Sequence, residues 1–404
     1  MQDLSLLKTF CGVFNFHTSI ASRFMTSLQV SLGFSSSQIG LILGLMRLGT
    51  SFLSPMTSSI ADTKKAHRTF LLVQTTLKVI PLLFMWELYG TGSLSLGWFW
   101  ILNSAFSVLA TGTSPMSDSL ILAALVDKSE YGRVRLWGAL AYGLGNLFIG
   151  ACITVYGSFT PMFGISFISL FIALAATYKF LPPYASETQA KEPITIRSVY
   201  DILTQSTSMK VFFLNAVVVG GALSLVESLL FVTMERTMHG SSPVIAGASV
   251  FISVLFELPI FRVAPGLISR YGTRGMLVLA NLAWIIRGLG YALFSSAWVV
   301  LVLELFHGIT FGLYYSASVH TCVKHSPPGM ESTMQSLLDM TFNGFGVALG
   351  SIGGGLLFDL VGTSNTFFIF CIALSFSTLG ILFLFRTNET SVVLNRQELV
   401  PFEG

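Results

Sequence analysis

Three observations predict that this chain is an all-α membrane protein crossing the bilayer twelve times, in two six-helix bundles with both termini cytoplasmic. Its 404 residues are 53% hydrophobic and 10% charged, against about 25% charged in a soluble domain, and its mean hydropathy is +0.75. Apolar runs long enough to span a bilayer recur along the whole length. Basic residues gather in every second connection between those runs.

A helix needs about 20 largely apolar residues to cross the hydrocarbon core. Such runs fall near 8–30, 38–61, 69–89, 97–125, 134–156, 160–181, 209–234, 243–264, 275–295, 297–321, 333–358 and 364–386. The first and seventh are the most polar. The first holds Asn15, His17 and Arg23 behind Lys8 and is too long and polar for a cleaved signal, so it reads as an uncleaved insertion signal. Cytoplasmic loops collect Lys and Arg. The alternate loops carry Lys64, Lys65 and Arg68, then Lys128, Arg133 and Arg135, then Lys179, Lys191, Arg197 and Lys210. Arg262, Arg270 and Arg274 follow, then Lys324, then Arg386 and Arg396, while the intervening loops hold only Arg236. The long polar stretch 183–208 separates bundles at 1–182 and 209–388 and a tail at 389–404. That layout matches two parallel bundles of inverted three-helix repeats.

Several function classes drop out. The basic residues form no patch for nucleic acid. Cys11, Cys152, Cys322 and Cys371 have no paired spacing, so neither a disulfide framework nor a zinc site is expected. There is no Ser-His-Asp pattern or cofactor fingerprint, so an enzyme is the weakest reading and no cofactor is expected. Asn388-Glu389-Thr390 is a sequon on the expected cytoplasmic side and should be unused.

Ionisable residues within a membrane are costly and face a cavity or a partner. Arg23, Arg47, Lys78, Asp118, Glu227, Glu257, Arg287, Glu304, His307 and Asp339 fall well inside the runs. Glu304 and His307 are three apart and share a helix face. Glu257 precedes Pro259, which frees a carbonyl and can kink the helix beside a cavity. Asp339 and Asn343, one turn apart, form a polar face. Glu227 and Glu257 are candidates for binding solute or a proton, Asp339 and Asn343 for binding solute in the same cavity, and Arg23 and Arg47 for binding solute or, with His17, for pairing with Asp118 or an anion; helix-to-helix ion pairing is the rival for each. Lys78 and Glu87 are expected near the interfaces or paired within the N-terminal bundle. Glycine rows at 138, 143, 145 and 150 and at 344, 346, 350, 353, 354 and 355 suit close helix packing, with a rocking interface as the functional reading.

Two loops carry a resemblance. Pro55 to Arg68 keeps Asp62, Lys64 and Lys65, and Pro265 to Gly275 keeps Arg270, Gly272 and Arg274 with Ser269 in place of the acid. Both resemble the loop signature of the major facilitator superfamily, Gly-x-x-x-Asp-Arg-x-Gly-Arg-Arg, in degenerate form, which implies a gating-loop role for Asp62, Lys64, Lys65, Arg270 and Arg274. Pro115-Met116-Ser117-Asp118, followed by Arg133-Val134-Arg135-Leu136-Trp137-Gly138 and Tyr142, is similar to the lactose-permease-like branch of oligosaccharide and nucleoside proton symporters. The resemblance extends weakly over nearly the whole chain and strongly over roughly 115–142 and 284–360. It implies the major facilitator fold and sugar-type contacts at Asp118, Arg135 and Tyr142. It also implies proton coupling at Arg287, His307 and Glu304, although the branch's acid three residues after the histidine is Thr310 here. The expected function is secondary transport of a small polar solute (sugar, nucleoside or similar) by alternating access with proton symport. An uncoupled facilitator, an organic-anion transporter and a receptor without transport are the alternatives. A monomer in the plasma membrane is the default expectation, with an endomembrane as the alternative home.

Overall fold

Helix ends in this chain follow local chemistry. Ser35 opens one helix with a capping box: its hydroxyl accepts from the Gln38 N–H at 3.2 Å, and the Gln38 side chain accepts from the Ser35 N–H at 2.9 Å. Pro161 and Pro243 sit in the first turns of two others, where a missing N–H costs nothing. Gly157 closes a third in the left-handed region, at φ 65°.

The computed structural model describes residues 4–183, 207–326 and 331–385. Most of the central loop, the tail, Lys191, Arg197, Arg386, Arg396 and the Asn388 sequon lie outside the described residues. In chain order the helices are α1 (Leu4–Ser22), α2 (Phe24–Ser31), α3 (Ser36–Thr63), α4 (His67–Leu77), α5 (Val79–Gly90), α6 (Leu96–Ala110), α7 (Thr113–Ala124), α8 (Tyr131–Tyr156) and α9 (Thr160–Phe180). After the central loop come α10 (Thr207–Glu227), α11 (Leu230–Thr237), α12 (Pro243–Leu293), α13 (Ala297–Leu303), α14 (Tyr314–His325), α15 (Glu331–Asp339), α16 (Val347–Val361) and α17 (Thr363–Leu384). No strand occurs among the described residues beyond an isolated bridge between His239 and Ser296. Nine helical stretches of the described residues are long and apolar enough to cross a membrane. The outer surface is apolar, with Phe171, Phe376 and Phe383 exposed, as a lipid-facing exterior requires.

Several rods are interrupted, and the interruptions coincide with charged residues. Arg23 separates α1 from α2, and Lys78 separates α4 from α5. Pro81 lacks the N–H that would bond the Leu77 carbonyl, which weakens the ladder at Lys78. Glu227 ends α10, and Glu304 opens a 3₁₀ turn, Glu304–Phe306, followed by a π turn, Gly308–Leu313. Irregular backbone at membrane depth is tolerated where it is enclosed by protein or lines a cavity.

The expected loop at 265–274 is reduced to a single residue. The α12 helix runs through Pro259 and Pro265 and breaks only at Gly272, at φ 73° and ψ 161°, a region essentially closed to side chains. Gly362, at φ 83° and ψ 163°, makes the same break between α16 and α17. We predict that Gly272→Val destabilises the fold by about 1–3 kcal/mol. Gly353→Ala, whose added Cβ would meet nothing within 4 Å, should be near neutral in the same thermal-unfolding measurement.

Helices from the two ends of the chain meet in backbone contact at one end of the molecule. A Cβ on Gly40 of α3 would lie 2.2 Å from the Ser351 carbonyl oxygen of α16, and one on Gly247 of α12 would lie 2.3 Å from the Asn146 carbonyl oxygen of α8. Two further links close this end. Asp359 accepts from the Ser36 and Ser37 N–H groups at 3.1 and 2.7 Å. Arg236 donates to the Ser36 hydroxyl at 2.5 Å and to the Phe34 carbonyl, and lies 3.9 Å from Asp359.

Candidate functional site

The interrupted rods surround a central cavity of about 550 Å³. Its wall is drawn from α1, the Lys78 break, α6, α7, α8 and α9 on one side, and from α10, α11, α12 and the Glu304–His307 segment on the other. Of the residues singled out in the sequence, Arg23, Asp118, Arg135, Tyr142, Glu227, Glu257, Glu304 and His307 lie on this wall. Arg287 lies directly behind it and is fully buried.

Glu304 and Arg287 form the densest polar cluster. Arg287 donates through Nη2 to Glu304 Oε2, through Nε to Tyr291 Oη at 3.0 Å, and through Nη1 to Thr310 Oγ1 at 3.1 Å. Tyr291 donates to Glu304 Oε1 at 2.7 Å, and the Ser253 hydroxyl donates to Oε2. Both carboxylate oxygens are therefore occupied. Trp284 and Tyr291 cover the guanidinium faces, at 5.3 and 5.7 Å from their ring centroids. A buried charge pair persists when its remaining donors and acceptors are satisfied in this way.

His307 links that cluster to a second acid. Arg287 Nη1 stands 3.1 Å from His307 Nδ1. Arginine has no acceptor, so Nδ1 accepts and the ring hydrogen sits on Nε2. Nε2 faces Glu257 Oε2 at 3.8 Å, too far for a direct hydrogen bond. Gly308 makes this approach possible, since a Cβ there would lie 2.3 Å from the Phe256 carbonyl oxygen. Glu257 has no closer charged partner among the described residues and is the loosely held acid of the site.

The remaining wall charges pair off. Arg135 donates to Asp118 and, at 2.9 Å, to Tyr131 Oη. The Arg135 side chain is 56% exposed, so the cavity is reached from the end that carries it, opposite the Gly40 and Gly247 contacts. Arg23 stands 3.3 Å from Glu227, an ion pair joining α10 to the α1–α2 break. Tyr142 Oη lies 3.0 Å from the Ser22 hydroxyl.

Other singled-out residues lie apart from this wall. Arg47 is exposed on α3. Asn343 donates to Asp339 at 2.7 Å, and neither lines the cavity. Asp62 pairs with His67 at 2.7 Å, and Arg270 lies over the Tyr271 ring. The loop residues Lys64, Lys65 and Arg274 are likewise away from the cavity. Two features escaped sequence reasoning. Tyr291 and Ser253, which complete the shell around Glu304, carry no sequence signal beyond a polar group in an apolar run. Lys78, expected near an interface or paired, is instead 5% exposed and on the cavity wall. Its position at the middle of the rod His67–Gly90 was the available signal.

The chain resembles known proteins over most of its length. The model of the MFS_1 like family matches residues 8–369. A Bacillus subtilis (strain 168) protein named "Uncharacterized transporter YwbF" is 24% identical, covering 91% of this chain and 90% of that one. A maltose permease of Geobacillus stearothermophilus is 26% identical, with 90% of each covered. The crystal structure of the nucleoside transporter NupG superposes with a TM-score of 0.78 at 17% identity, covering 96% of this chain and 100% of that one, and shows a shared fold. The chain is therefore an integral, multi-pass membrane protein that belongs to the MFS_1 like family of the major facilitator superfamily.

Proposed function

We propose that the chain is a secondary transporter that moves a small polar solute by alternating access, coupled to proton symport. The observation that carries this reading is the central cavity, walled by helices from both ends of the chain and lined with ionisable groups at membrane depth. Relatives named as a maltose permease and a nucleoside transporter support a sugar-like or nucleoside-like solute. The twelve-span count belongs to the same reading. In support of it, two further rods broken at Arg23 and at Thr111–Gly112, and the division of α12 at Gly272, would add three spans to the nine helical stretches. The alternating basic loops support cytoplasmic termini, and on this reading the plasma membrane is home and the monomer is the working unit. On that orientation the state described here is open to the cytoplasm and closed at Gly40 and Gly247.

Proton coupling in this proposal divides between two acids. Glu304 accepts from three donors, Arg287, Tyr291 and Ser253, and anchors Arg287 beside His307. Glu257 is the acid free to change protonation. The groups around it are His307, Glu227 and Arg135, so solute and proton occupancy are sensed by the same cluster. The test is uptake by the full chain in liposomes across sugars and nucleosides, with and without an inward proton gradient. Glu257→Gln should cut uphill accumulation at least about tenfold while solute exchange continues, the behaviour of a carrier that has lost its titrating group. Accumulation at the wild-type level in that variant rejects the coupling role. Uptake indifferent to the gradient in the unmodified chain rejects symport itself.

A further inference from the structure

Among the described residues, charge pairing around the cavity leaves one cation over. Arg23 is matched by Glu227, Arg135 by Asp118 and Arg287 by Glu304. Lys78 also lines the cavity, is 95% shielded from solvent, and has no carboxylate within 4.0 Å among the described residues. Its recorded side-chain contact is the Phe106 ring, 5.9 Å from the ammonium to the centroid, at the outer limit of a cation–π contact. A fixed charge at mid-membrane without a counter-ion is expensive, and such residues mark the path of an ion or a charged substrate.

Polar side chains share the cavity wall with this lysine. His17 lines the cavity, and its Nδ1 lies 2.9 Å from the Ser169 hydroxyl. Ser114 and Ser117, one turn apart on α7, line the same cavity, and their side chains have no hydrogen-bond partner among the described residues. The acids on the wall are elsewhere engaged: Asp118 with Arg135, and Glu227, Glu257 and Glu304 on the opposite wall.

We propose that this cavity holds an acid-recognition subsite, in which Lys78, with the His17 ring and the Ser117 hydroxyl on the same wall, binds the carboxylate of the transported solute. The solute class is thus an organic monocarboxylate with polar groups at its other end for Glu257 and His307. A dianion such as a phosphomonoester fits less well, because one ammonium neutralises one charge and no free arginine fork faces the cavity. The proposal rests on the transport reading, names its substrate class, and makes the solute's own carboxylate the missing counter-ion of Lys78.

The test uses the full chain, purified and reconstituted, with matched pairs of probes: D-glucuronate with D-glucose, and 4-hydroxyphenylacetate with 2-(4-hydroxyphenyl)ethanol. Binding is read as a ligand-dependent rise in unfolding temperature, and transport as uptake of the radiolabelled probe. At least one acid should bind about tenfold or more tightly than its neutral partner, the scale of one charge-assisted contact. Lys78→Met should erase that preference, and Lys78→Arg should retain part of it. Lys78→Gln provides the same reading should the Met variant aggregate. The subsite is overturned if no acid binds the folded chain, if the neutral partners bind better, or if the uncharged variants keep the acid preference. The two readings fail separately. Lys78-dependent acid binding without uptake sinks transport and leaves the subsite standing, whereas uptake of neutral probes alone does the reverse.

Discussion

Glu304→Gln will lower the stability of the protein by about 3–5 kcal/mol, the range for removing one partner of a buried ion pair, and will abolish transport. Arg287 is fully buried and its carboxylate partner is Glu304. A glutamine keeps one acceptor oxygen and puts an NH2 in place of the other, so it removes the charge and sets donor against donor either at Oε1, where Tyr291 donates, or at Oε2, where Arg287 and Ser253 donate. The second substitution isolates the cause. Arg287→Gln in the same molecule removes the stranded charge, and should recover at least about 2 kcal/mol of the loss, within the range of coupling energies for residues sharing one network. Transport should stay absent in the double variant, because His307 has then lost the donor that sets its tautomer. Denaturant or thermal unfolding of the purified chain checks the first part, and reconstituted uptake checks the second. A Glu304→Gln protein as stable as the unmodified one would mean that the cluster is solvated in a way its burial contradicts.

The other large effect is expected at the closed end. Gly40→Val places a Cβ 2.2 Å from the Ser351 carbonyl oxygen and 3.0 Å from the Gly355 Cα. Backbone cannot yield as a side-chain tip does, so α3 and α16 must separate. Overpacking of this kind costs about 1–3 kcal/mol, and each 1.4 kcal/mol is about a tenfold change in an equilibrium constant. The ratio of closed to open at this end should therefore fall by about tenfold to a hundredfold. Maleimide labelling of Ser22→Cys on the cavity wall, in a background with the four native cysteines replaced and with reagent supplied from the closed side, should accelerate by that factor. Gly49→Val on the same helix meets nothing within 4 Å and should leave labelling unchanged. Equal labelling in the two variants would show that the Gly40 contact does not hold this end shut.

How far the site was legible depends on the kind of information each residue carries. A charged residue in an apolar run is visible in a linear sequence, because its solvation cost is independent of its neighbours. That is why Arg23, Asp118, Glu227, Glu257, Arg287, Glu304 and His307 could be picked out, and each of them lies on or against the cavity. Arg47, Asp339 and Asn343 met the same criterion, yet the fold leaves them outside the wall. Depth along a rod can be read from sequence, but rotation about it depends on which neighbour the rod packs against. Lys78 shows the converse: its position inside an apolar run was visible but was read as interfacial or paired, and its enclosure was decided by the break before Pro81 and by packing of the rods around it.

Composition, run length and the alternation of basic loops were enough for the membrane class and the helical architecture, because crossing a bilayer imposes a local requirement on every segment. Pairing was decided only in three dimensions. Which acid meets which base, why Glu304 is saturated while Glu257 is loosely held, and why Lys78 has no carboxylate partner among the described residues all follow from distances between helices far apart in the chain. Those distances are set by side-chain packing and by glycines such as Gly40 and Gly308 that admit another backbone, and no local pattern of residues encodes them.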